Sequence, residues 1–231
     1  PVNAFHWEMV AELAPAFDCL HADPAVRVIV LASSLPRYFS SGADLNVFNG
    51  ITAERMREWV TICHSFVRRL RGSDKPLLAA IAGTAVGGGL EMTLHCDLRF
   101  AADDARLGQP EIAIGMIPPV GATQALARLI GRPKAIRYLY EGRLLPATEA
   151  LALGLVDELV PAAQLRDHVA AYARDLAQKP PTALAAIRRT ITEGGGVSFE
   201  EGLAIERDWA ARLPDTAEFQ AGVKAFLERR R

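Results

Sequence analysis

Short apolar runs that are typical of buried strands alternate with helical segments along the first two thirds of this chain. The runs are VRVIVLA at residues 26–32, PLLAAIAG at 76–83 and DLRFAA at 97–102. Between the first two runs, apolar residues recur at helical spacing from Met56 to Leu70. Because buried strands separated by helices form parallel sheets that helices cover, this alternation predicts an α/β core.

The rest of the chain is predicted to be mostly helical. Apolar residues at helical spacing predict a first helix over residues 3–21, kinked at Pro15. After Pro161 the sequence reads as three or four amphipathic helices. We therefore expect a core at residues 1–160 and a separate helical region at residues 161–231.

Composition argues against several classes of function. The net charge is −1 and no long basic run is present, so the electrostatic footprint of a nucleic-acid-binding protein is missing. The longest apolar stretch, residues 77–90, contains four glycines and is too short to span a membrane. The three cysteines are too few and too scattered for a disulfide framework, which favours a reducing compartment and predicts a cytoplasmic protein.

Glycine-rich segments follow the first two predicted strands. Gly42 to Asp44 comes after the first strand and its loop, and Gly87 to Gly89 follows the second strand and opens a helix. Three consecutive glycines are poor helix formers, so they indicate either a flexible loop or a backbone amide that approaches a ligand closely. Free amides at a helix N-terminus stabilise negative charge, and a second amide from another strand end would complete an oxyanion hole.

Two glutamates follow these glycines. Glu91 is three residues beyond Gly88, and Glu111 lies in the segment GQPEIAIG. Two carboxyl groups can divide general acid and general base catalysis if their surroundings separate their pKa values. Each feature alone has an ordinary structural explanation, because a glutamate near a helix start often only compensates the helix dipole.

Taken together, several motifs in order resemble one family. They are FSSGADL, IAGTAVGGGLEMTLHCDLRFAADDARLGQPEIAIGMIP, GATQALARLIG and GRLLPATEALALGLVDELVP. In sequence and spacing they resemble the crotonase, or enoyl-CoA hydratase/isomerase, superfamily over nearly the whole chain. The resemblance implies a crotonase-like ββα spiral core followed by a C-terminal helical oligomerisation region.

The resemblance also implies an activity and a set of site residues. The family binds acyl-CoA thioesters and holds the enolate oxygen with two backbone amides, which match those of Ala43 and Gly88. A Cβ at residue 88 is expected to crowd the thioester. Glu91 and Glu111 match the two glutamates that hold a water and add it across the 2,3 double bond, which implies a 2-enoyl-CoA hydratase. The positions expected to bind substrate are Ala43, Asp44, Leu45, Asn46, Gly87, Gly88, Pro118 and Pro119.

The implied partners are an acyl-CoA substrate and further copies of the chain. No metal and no redox cofactor are implied, because the thioester itself activates the substrate and CoA is part of that substrate. The family forms trimers, often stacked as hexamers, through C-terminal helices whose apolar residues here include Phe199, Leu203 and Trp209. The acyl chain is expected to lie against the helix at residues 53–70 and the C-terminal helices.

The chain departs from the family pattern at two places. The family opens with a strand hairpin before the segment NAF, and this chain begins at PVNAF, so those strands and their contacts to CoA phosphates are expected to be absent. Where the family commonly has IPGAGGTQ, this chain has IPPVGATQ. Pro119 therefore replaces a glycine and has no amide hydrogen to donate.

Two alternatives to a hydratase remain open: another acyl-CoA reaction of the crotonase family, such as isomerisation, and binding of acyl-CoA without catalysis. An isomerase that moves a 3-enoyl double bond to the 2 position would need only Glu111 to carry the proton. A catalytically silent acyl-CoA-binding protein is favoured by Pro119 and disfavoured by the intact glutamates. The adjacent His95, Cys96 and Asp97 match no zinc-binding spacing, so we expect them to have a packing role.

Overall fold

The computed structural model describes residues 2–229, and its strands come in consecutive pairs. The pairs are β1 (Ile29–Ala32) with β2 (Tyr38–Ser40), β3 (Leu77–Ile81) with β4 (Thr84–Val86), and β5 (Leu98–Ala102) with β6 (Arg106–Gly108). Two further strands are β7 (Leu144–Pro146) and β8 (Glu158–Val160). A helical segment follows each pair, so the chain repeats a strand–strand–helix unit.

Each unit contributes one strand to each of two four-stranded sheets. The first sheet has the order β1-β3-β5-β8, and all of its strands are parallel. The second has the order β2-β4-β6-β7, in which only β7 is antiparallel to its neighbour. All five residues of β3 are buried, as expected for a parallel strand that is covered on both faces. The predicted α/β class and the ββα repeat are confirmed.

Eleven α-helices are described between residues 2 and 229. The first seven are α1 (Trp7–Ala22), α2 (Leu45–Phe48), α3 (Ala53–Arg71), α4 (Gly88–Thr93), α5 (Ala122–Leu129), α6 (Arg132–Glu141) and α7 (Ala147–Leu153). The last four are α8 (Leu165–Ala177), α9 (Pro181–Gly194), α10 (Phe199–Ala210) and α11 (Ala217–Glu228). Short 3-10 helices lie at Glu111–Ile114 and Ala162–Gln164. No helix in the described part of the chain is long and apolar enough to cross a membrane.

Sequence patterns located the first sheet better than the second. The predicted strand at residues 26–32 is shortened to Ile29–Ala32, and the predicted helix at residues 3–21 begins only at Trp7. That helix starts there because the Nδ1 atom of His6 accepts a hydrogen bond from the Met9 amide and caps it. The strands β2, β4 and β6 were not predicted, since three residues are too few to show a period of two.

Helix α3 lies over the core, and α8 is packed against the core as well. The buried face of α3 carries the residues Trp59, Cys63, Phe66, Val67 and Leu70. Residues 165 and 169 of α8 are also buried in the core, and α8 packs on β3 and β5. The division of the chain at residue 160 therefore stays a prediction.

An ion pair between the buried Arg188 and the exposed Asp97 connects α9 to the core. The Nε atom of Arg188 lies 2.8 Å from Oδ2 of Asp97, and its guanidinium also donates to the Leu70 carbonyl at the end of α3. Asp97 thus pairs with an arginine, in agreement with a packing role. Among the described residues, no group of three or more His, Cys, Asp or Glu side chains is arranged to hold a metal ion.

Candidate active site

Three neighbouring strand ends bring the candidate site residues together. Strands β2, β4 and β6 are adjacent and parallel, so their carboxyl ends meet at one edge of the second sheet. Ala43 follows β2, Gly88 follows β4, and Glu111 follows β6. The order of strands in this sheet therefore places segments far apart in sequence around one point.

A cavity of about 420 Å³ opens at this edge. Its lining residues are Phe5, Ala43, Leu45, Phe48, Asn49, Ile51, Met56, Trp59, Gly88, Glu91, Glu111, Ile114, Gly115, Met116, Pro119 and Val120. Among these, only Glu91 and Glu111 can carry a charge. The cavity is thus an apolar space with two carboxyl groups, and such a space suits a ligand with an apolar body and one reactive polar centre.

The triple glycine is required by close packing and by backbone geometry. Gly87 has a φ of +52°, and a Cβ there would lie 2.7 Å from Oε1 of Glu111. A Cβ on Gly89 would lie 2.2 Å from the Cβ of Ser40 in β2. The contact at Gly89 leaves no room for a side chain, and the positive φ of Gly87 disfavours one, so the alternative of a flexible surface loop is wrong.

The middle glycine faces an aromatic ring. A Cβ on Gly88 would lie 2.7 Å from Cδ1 of Phe5. The expectation that this Cβ would crowd a bound thioester stays a prediction, and the obstacle that the structure shows is Phe5, toward which the Cβ would point. Phe5 lines the cavity and packs edge-on against Trp59, with ring centroids 5.6 Å apart. Gly88 thus lets the start of α4 lie directly against the cavity wall.

Neither the Ala43 amide nor the Gly88 amide donates a hydrogen bond within the described part of the chain. Phe5 donates to the Gly42 carbonyl at 2.7 Å and accepts from the Asp44 amide at 3.2 Å, so this bridge passes over Ala43 without using its N–H. Gly88 is the first residue of α4, where a helical amide has no partner within the helix. Within residues 2–229 neither amide donates to a backbone carbonyl or a side chain.

Glu91 is fully buried and held at the start of α5. Its Oε1 atom accepts hydrogen bonds from the Val120 amide at 2.7 Å and the Ala122 amide at 2.9 Å. Its Oε2 atom has no hydrogen-bond partner among the described residues. Burial raises the pKa of Glu91 to about 8, and the nearby charge of Glu111 adds to this, against the lowering effect of the two amides.

Glu111 begins the 3-10 helix after β6, and Gln109 faces its carboxyl group. The orientation of the Gln109 amide that satisfies both groups places its nitrogen 3.1 Å from each oxygen of Glu111. Burial raises the pKa of Glu111 to about 7. Both carboxyl groups therefore titrate near neutral pH, where one can hold a proton while the other accepts one.

Exchanging Glu91 for Gln is expected to stabilise the fold at alkaline pH. The pKa of Glu91 rises from an ordinary 4.5 to about 8 on folding, so the folded state binds this proton more tightly than the unfolded state. The stabilisation that the proton gives is complete below pH 4.5 and is lost as the pH rises through about 8. Glutamine does not ionise and avoids this loss.

Thermal melts check this expectation. The melting temperature of Glu91→Gln, relative to the wild-type protein, should be higher by several degrees at about pH 8.5 than at about pH 5. The exposed Glu12→Gln serves as the control. An equal difference in melting temperature at both pH values would contradict the raised pKa.

Four of the eight predicted substrate-binding positions line the cavity, namely Ala43, Leu45, Gly88 and Pro119. Asp44 instead caps α2, because its Oδ1 atom accepts from the amide and the side chain of Asn46. Gly87 lies beside Glu111 without lining the cavity. Pro118 is buried and directly precedes Pro119 in the chain. Asp44, Asn46, Gly87 and Pro118 do not line this cavity, and their role in binding substrate stays a prediction.

Several residues of the site escaped the sequence analysis. Phe5 and Phe48 gave no local signal, because only the fold brings them to the cavity. Met56 and Trp59 of α3 were expected as acyl-pocket residues through their helix, whereas no described residue of the C-terminal helices lines the cavity. Gln109 precedes Pro110 and Glu111, and its proximity to a candidate glutamate was the one signal available.

Comparison with known proteins agrees with the resemblance that the sequence motifs indicate. The family described as Enoyl-CoA hydratase/isomerase matches residues 1–231. The chain is 34% identical over 229 residues to probable enoyl-CoA hydratase 2, mitochondrial, of Arabidopsis thaliana, covering 99% of this chain and 76% of that protein. It is 32% identical to crotonyl-CoA hydratase of Syntrophomonas wolfei, covering 100% of this chain and 88% of that protein.

The fold agrees with these sequence relations. The crystal structure of enoyl-CoA hydratase from Bacillus anthracis superimposes with a TM-score of 0.93 at 32% identity, covering 98% of this chain and 88% of that chain. The two sheets, the cavity at their edge and the match along residues 1–231 lead to one conclusion: the chain belongs to the enoyl-CoA hydratase/isomerase family of the crotonase superfamily.

Proposed function

We propose that this protein is an enoyl-CoA hydratase, which adds water across the 2,3 double bond of a 2-enoyl-CoA thioester. The observation that carries the proposal is the placement of two carboxyl groups, Glu91 and Glu111, in an apolar cavity beside two free backbone amides. Family membership and relatives that are named hydratases support it. The apolar lining suits the acyl chain of such a thioester.

The two amides are proposed to stabilise the charge that develops during the reaction. When the oxygen of water attacks C3 of the enoyl thioester, the electrons of the double bond move toward the thioester carbonyl and an enolate forms. The amides of Ala43 and Gly88 would donate to that oxygen, and the start of α4 would add its dipole. An oxyanion hole of this kind lowers the barrier because it binds charge that only the transition state carries.

The two glutamates are proposed to divide the proton transfers. One ionised carboxylate accepts a proton from the attacking water, and the other, protonated carboxyl group gives its proton to C2 of the enolate. Transfer of a proton between the two carboxyl groups then restores the starting state, so the net change is the addition of one water. The raised pKa values of Glu91 and Glu111 suit this exchange near neutral pH. No step of this reaction transfers an electron or uses a metal ion. CoA takes part only as a portion of the substrate.

The assay that tests the proposal follows crotonyl-CoA. Purified protein should remove the absorbance of the enoyl thioester, and the product should be the 3-hydroxyacyl thioester. Conversion of a 3-enoyl-CoA to the 2-enoyl thioester without hydration would identify an isomerase instead. Binding of acyl-CoA without conversion of either substrate would identify a silent binding protein.

Exchanging Pro119 for Gly is expected to raise the hydration rate by one to two decades. Pro119 lines the cavity and has no amide hydrogen, and Oε2 of Glu91, which lines the same cavity, has no hydrogen-bond partner within residues 2–229. A restored hydrogen bond to a charged carboxylate stabilises it by roughly 1.5–3 kcal/mol and lowers its pKa. The acidic limb of the pH–rate profile should move to lower pH. An unmoved profile together with an unchanged rate would show that Pro119 affects packing and has no effect on catalysis.

A homotrimer, or a hexamer built as a dimer of trimers, is proposed as the assembly. Phe199 is 79% exposed and Leu203 is 41% exposed on α10, so apolar side chains of the C-terminal helices are uncovered in the single chain. Trp209 is partly buried, and its indole donates to Glu193. Light scattering at micromolar concentration should give at least three times the chain mass of 25.0 kDa, and a monomer would contradict the proposal.

The cellular location is proposed to be the cytoplasm. Cys63 and Cys96 are buried free thiols, and Cys19 is an exposed one, a state that suits a reducing compartment.

A further inference from the structure

One peptide group connects His64 to Glu91. The carbonyl of Pro119 lies 2.8 Å from Nε2 of His64, and the N–H of the same peptide, that of Val120, donates to Oε1 of Glu91 at 2.7 Å. The carbonyl and the amide of a peptide group lie in one plane and point in opposite directions. His64 on α3 and Glu91 on α4 therefore hold the two ends of a single rigid unit.

A second histidine holds the next carbonyl. Nε2 of His95 lies 2.9 Å from the carbonyl oxygen of Val120. His95 is four residues beyond Glu91, so the two side chains reach the same loop from the same short segment. Val120 is thus bound at its amide by Glu91 and at its carbonyl by His95.

Both imidazoles must act as donors in these contacts. A carbonyl oxygen can only accept a hydrogen bond, so Nε2 carries the hydrogen in each ring. His95 is 5% exposed, and its Nδ1 atom has no partner among the described residues. Burial lowers the pKa of His95 to about 4, with the charges of Arg71 and His64 adding to the effect, so the ring is neutral at physiological pH.

We infer that His64 and His95 are positioning residues for Glu91: by donating to the carbonyls of Pro119 and Val120, they fix the peptide whose N–H orients Oε1 of the Glu91 carboxyl. The inference rests on the proposed function, because Glu91 is taken as one of the two reacting carboxyl groups. Neither histidine would touch the substrate. Their effect reaches the reaction only through residues 119–122.

The hydrogen bonds in this chain are expected to strengthen one another. Donation from His64 polarises the peptide, so that the Val120 N–H becomes a better donor to the carboxylate. Loss of the His64 or His95 donor should loosen the loop, weaken the bonds to Oε1 and favour the protonated form of Glu91. The other titratable groups that act on Glu91 are Glu111 and Cys63, and the substitutions below leave both in place.

Paired substitutions of each histidine separate the effect of losing the hydrogen-bond donor from the effect of losing the imidazole ring. His64→Leu and His95→Leu remove the donor and keep an apolar side chain. His64→Gln and His95→Gln retain an N–H that reaches about as far as Nε2. The control is His168→Leu on α8, where the histidine pairs with Glu158 far along the chain from the loop.

Steady-state kinetics on crotonyl-CoA give the first measurement. Each Leu variant should lower kcat by about 3- to 30-fold with KM changed less than about twofold, in line with the loss of one or two hydrogen bonds. The acidic limb of the kcat/KM profile should move upward by about half a pH unit or more, and the Gln variants should recover most of both changes. Leu variants with wild-type kcat and pH profile would overturn the inference, as would folded Gln variants as impaired as the Leu variants.

Hydrogen exchange gives a second measurement that does not depend on activity. Amides in the segment 117–126 should exchange about 3- to 10-fold faster in the Leu variants than in the wild-type and His168→Leu proteins. If the wild-type protein fails to hydrate crotonyl-CoA, the proposed function is wrong, and the exchange experiment still decides whether the histidines hold the loop. Because His64 is only partly buried, its variants should fold even if a His95 variant does not. Unchanged exchange in His64→Leu would overturn the inference.

Discussion

Glu111→Gln is expected to lower kcat for crotonyl-CoA hydration by roughly 10²–10⁴-fold, the usual contribution of a general acid–base group. Glutamine keeps the size of the side chain and its place in the cavity, but it can neither take nor give the proton. Glu111 lies at the end of β6 with Gln109 facing it, so the variant retains a hydrogen-bonding neighbour. The loss should therefore appear in kcat far more than in KM.

Two controls make the result of Glu111→Gln specific. Because burial raises the pKa of Glu111 to about 7, removing this ionisable group should leave the melting temperature at neutral pH unchanged or higher. Glu12→Gln, on the exposed face of α1, should keep wild-type kinetics. Wild-type turnover by a folded Glu111→Gln protein would show that another group carries the proton.

The matching substitution of Glu91 separates a hydratase from an isomerase. Addition of water uses both carboxyl groups in the proposed mechanism, so Glu91→Gln should lose hydration of crotonyl-CoA to a similar degree. An isomerase would need only Glu111 to move a proton between carbons. A Glu91→Gln protein that still converts a 3-enoyl-CoA to the 2-enoyl isomer at the wild-type rate would favour that rival activity.

The sequence predicts those parts of the site that depend on local patterns, and it does not predict contacts between segments that are distant in the chain. Gly88, Glu91 and Glu111 lie in segments with strong local patterns, and the structure brings them to one cavity together with Ala43. The reason for their meeting is the adjacency of β2, β4 and β6, which were too short to predict. The parts that lay beyond prediction are contacts between distant segments.

Phe5 and the two histidines illustrate that limit. Phe5 shapes the cavity through a bridge to residue 43, and nothing in its local sequence indicates this. His95 was assigned a packing role because its neighbours match no metal-binding spacing. That assignment is compatible with its burial, yet it omitted the hydrogen bond to the Val120 carbonyl, which depends on a loop 25 residues away.

Gly88→Val is expected to lower kcat/KM by at least roughly 100-fold, the usual result of losing one oxyanion-hole donor. The substitution keeps the amide of residue 88, so the effect must come through geometry. The new Cβ would lie 2.7 Å from Cδ1 of Phe5, and the two valine methyl groups would need still more room. The ring and the start of α4 must therefore move apart.

Displacement of Phe5 would also disturb the second proposed donor. The backbone of Phe5 donates to Gly42 and accepts from Asp44, and these two residues flank Ala43. A shift of Phe5 therefore changes the position of the Ala43 amide relative to the amide of residue 88. One substitution thus separates both proposed donors, and affinity for a non-reactive acyl-CoA analogue should fall together with the rate.

A second substitution tests this route. Phe5→Leu shortens the side chain that the new Cβ meets, so the double variant Phe5→Leu/Gly88→Ala should be more active than Gly88→Ala alone, although each single variant is impaired. Additive losses in the double variant would mean that Gly88 and Phe5 act independently. If calorimetry gives wild-type affinity for the analogue in a folded Gly88→Val protein and the rate is also unchanged, the oxyanion hole must lie elsewhere, because a shift of Phe5 is expected to move the Ala43 amide through the bonds to Gly42 and Asp44.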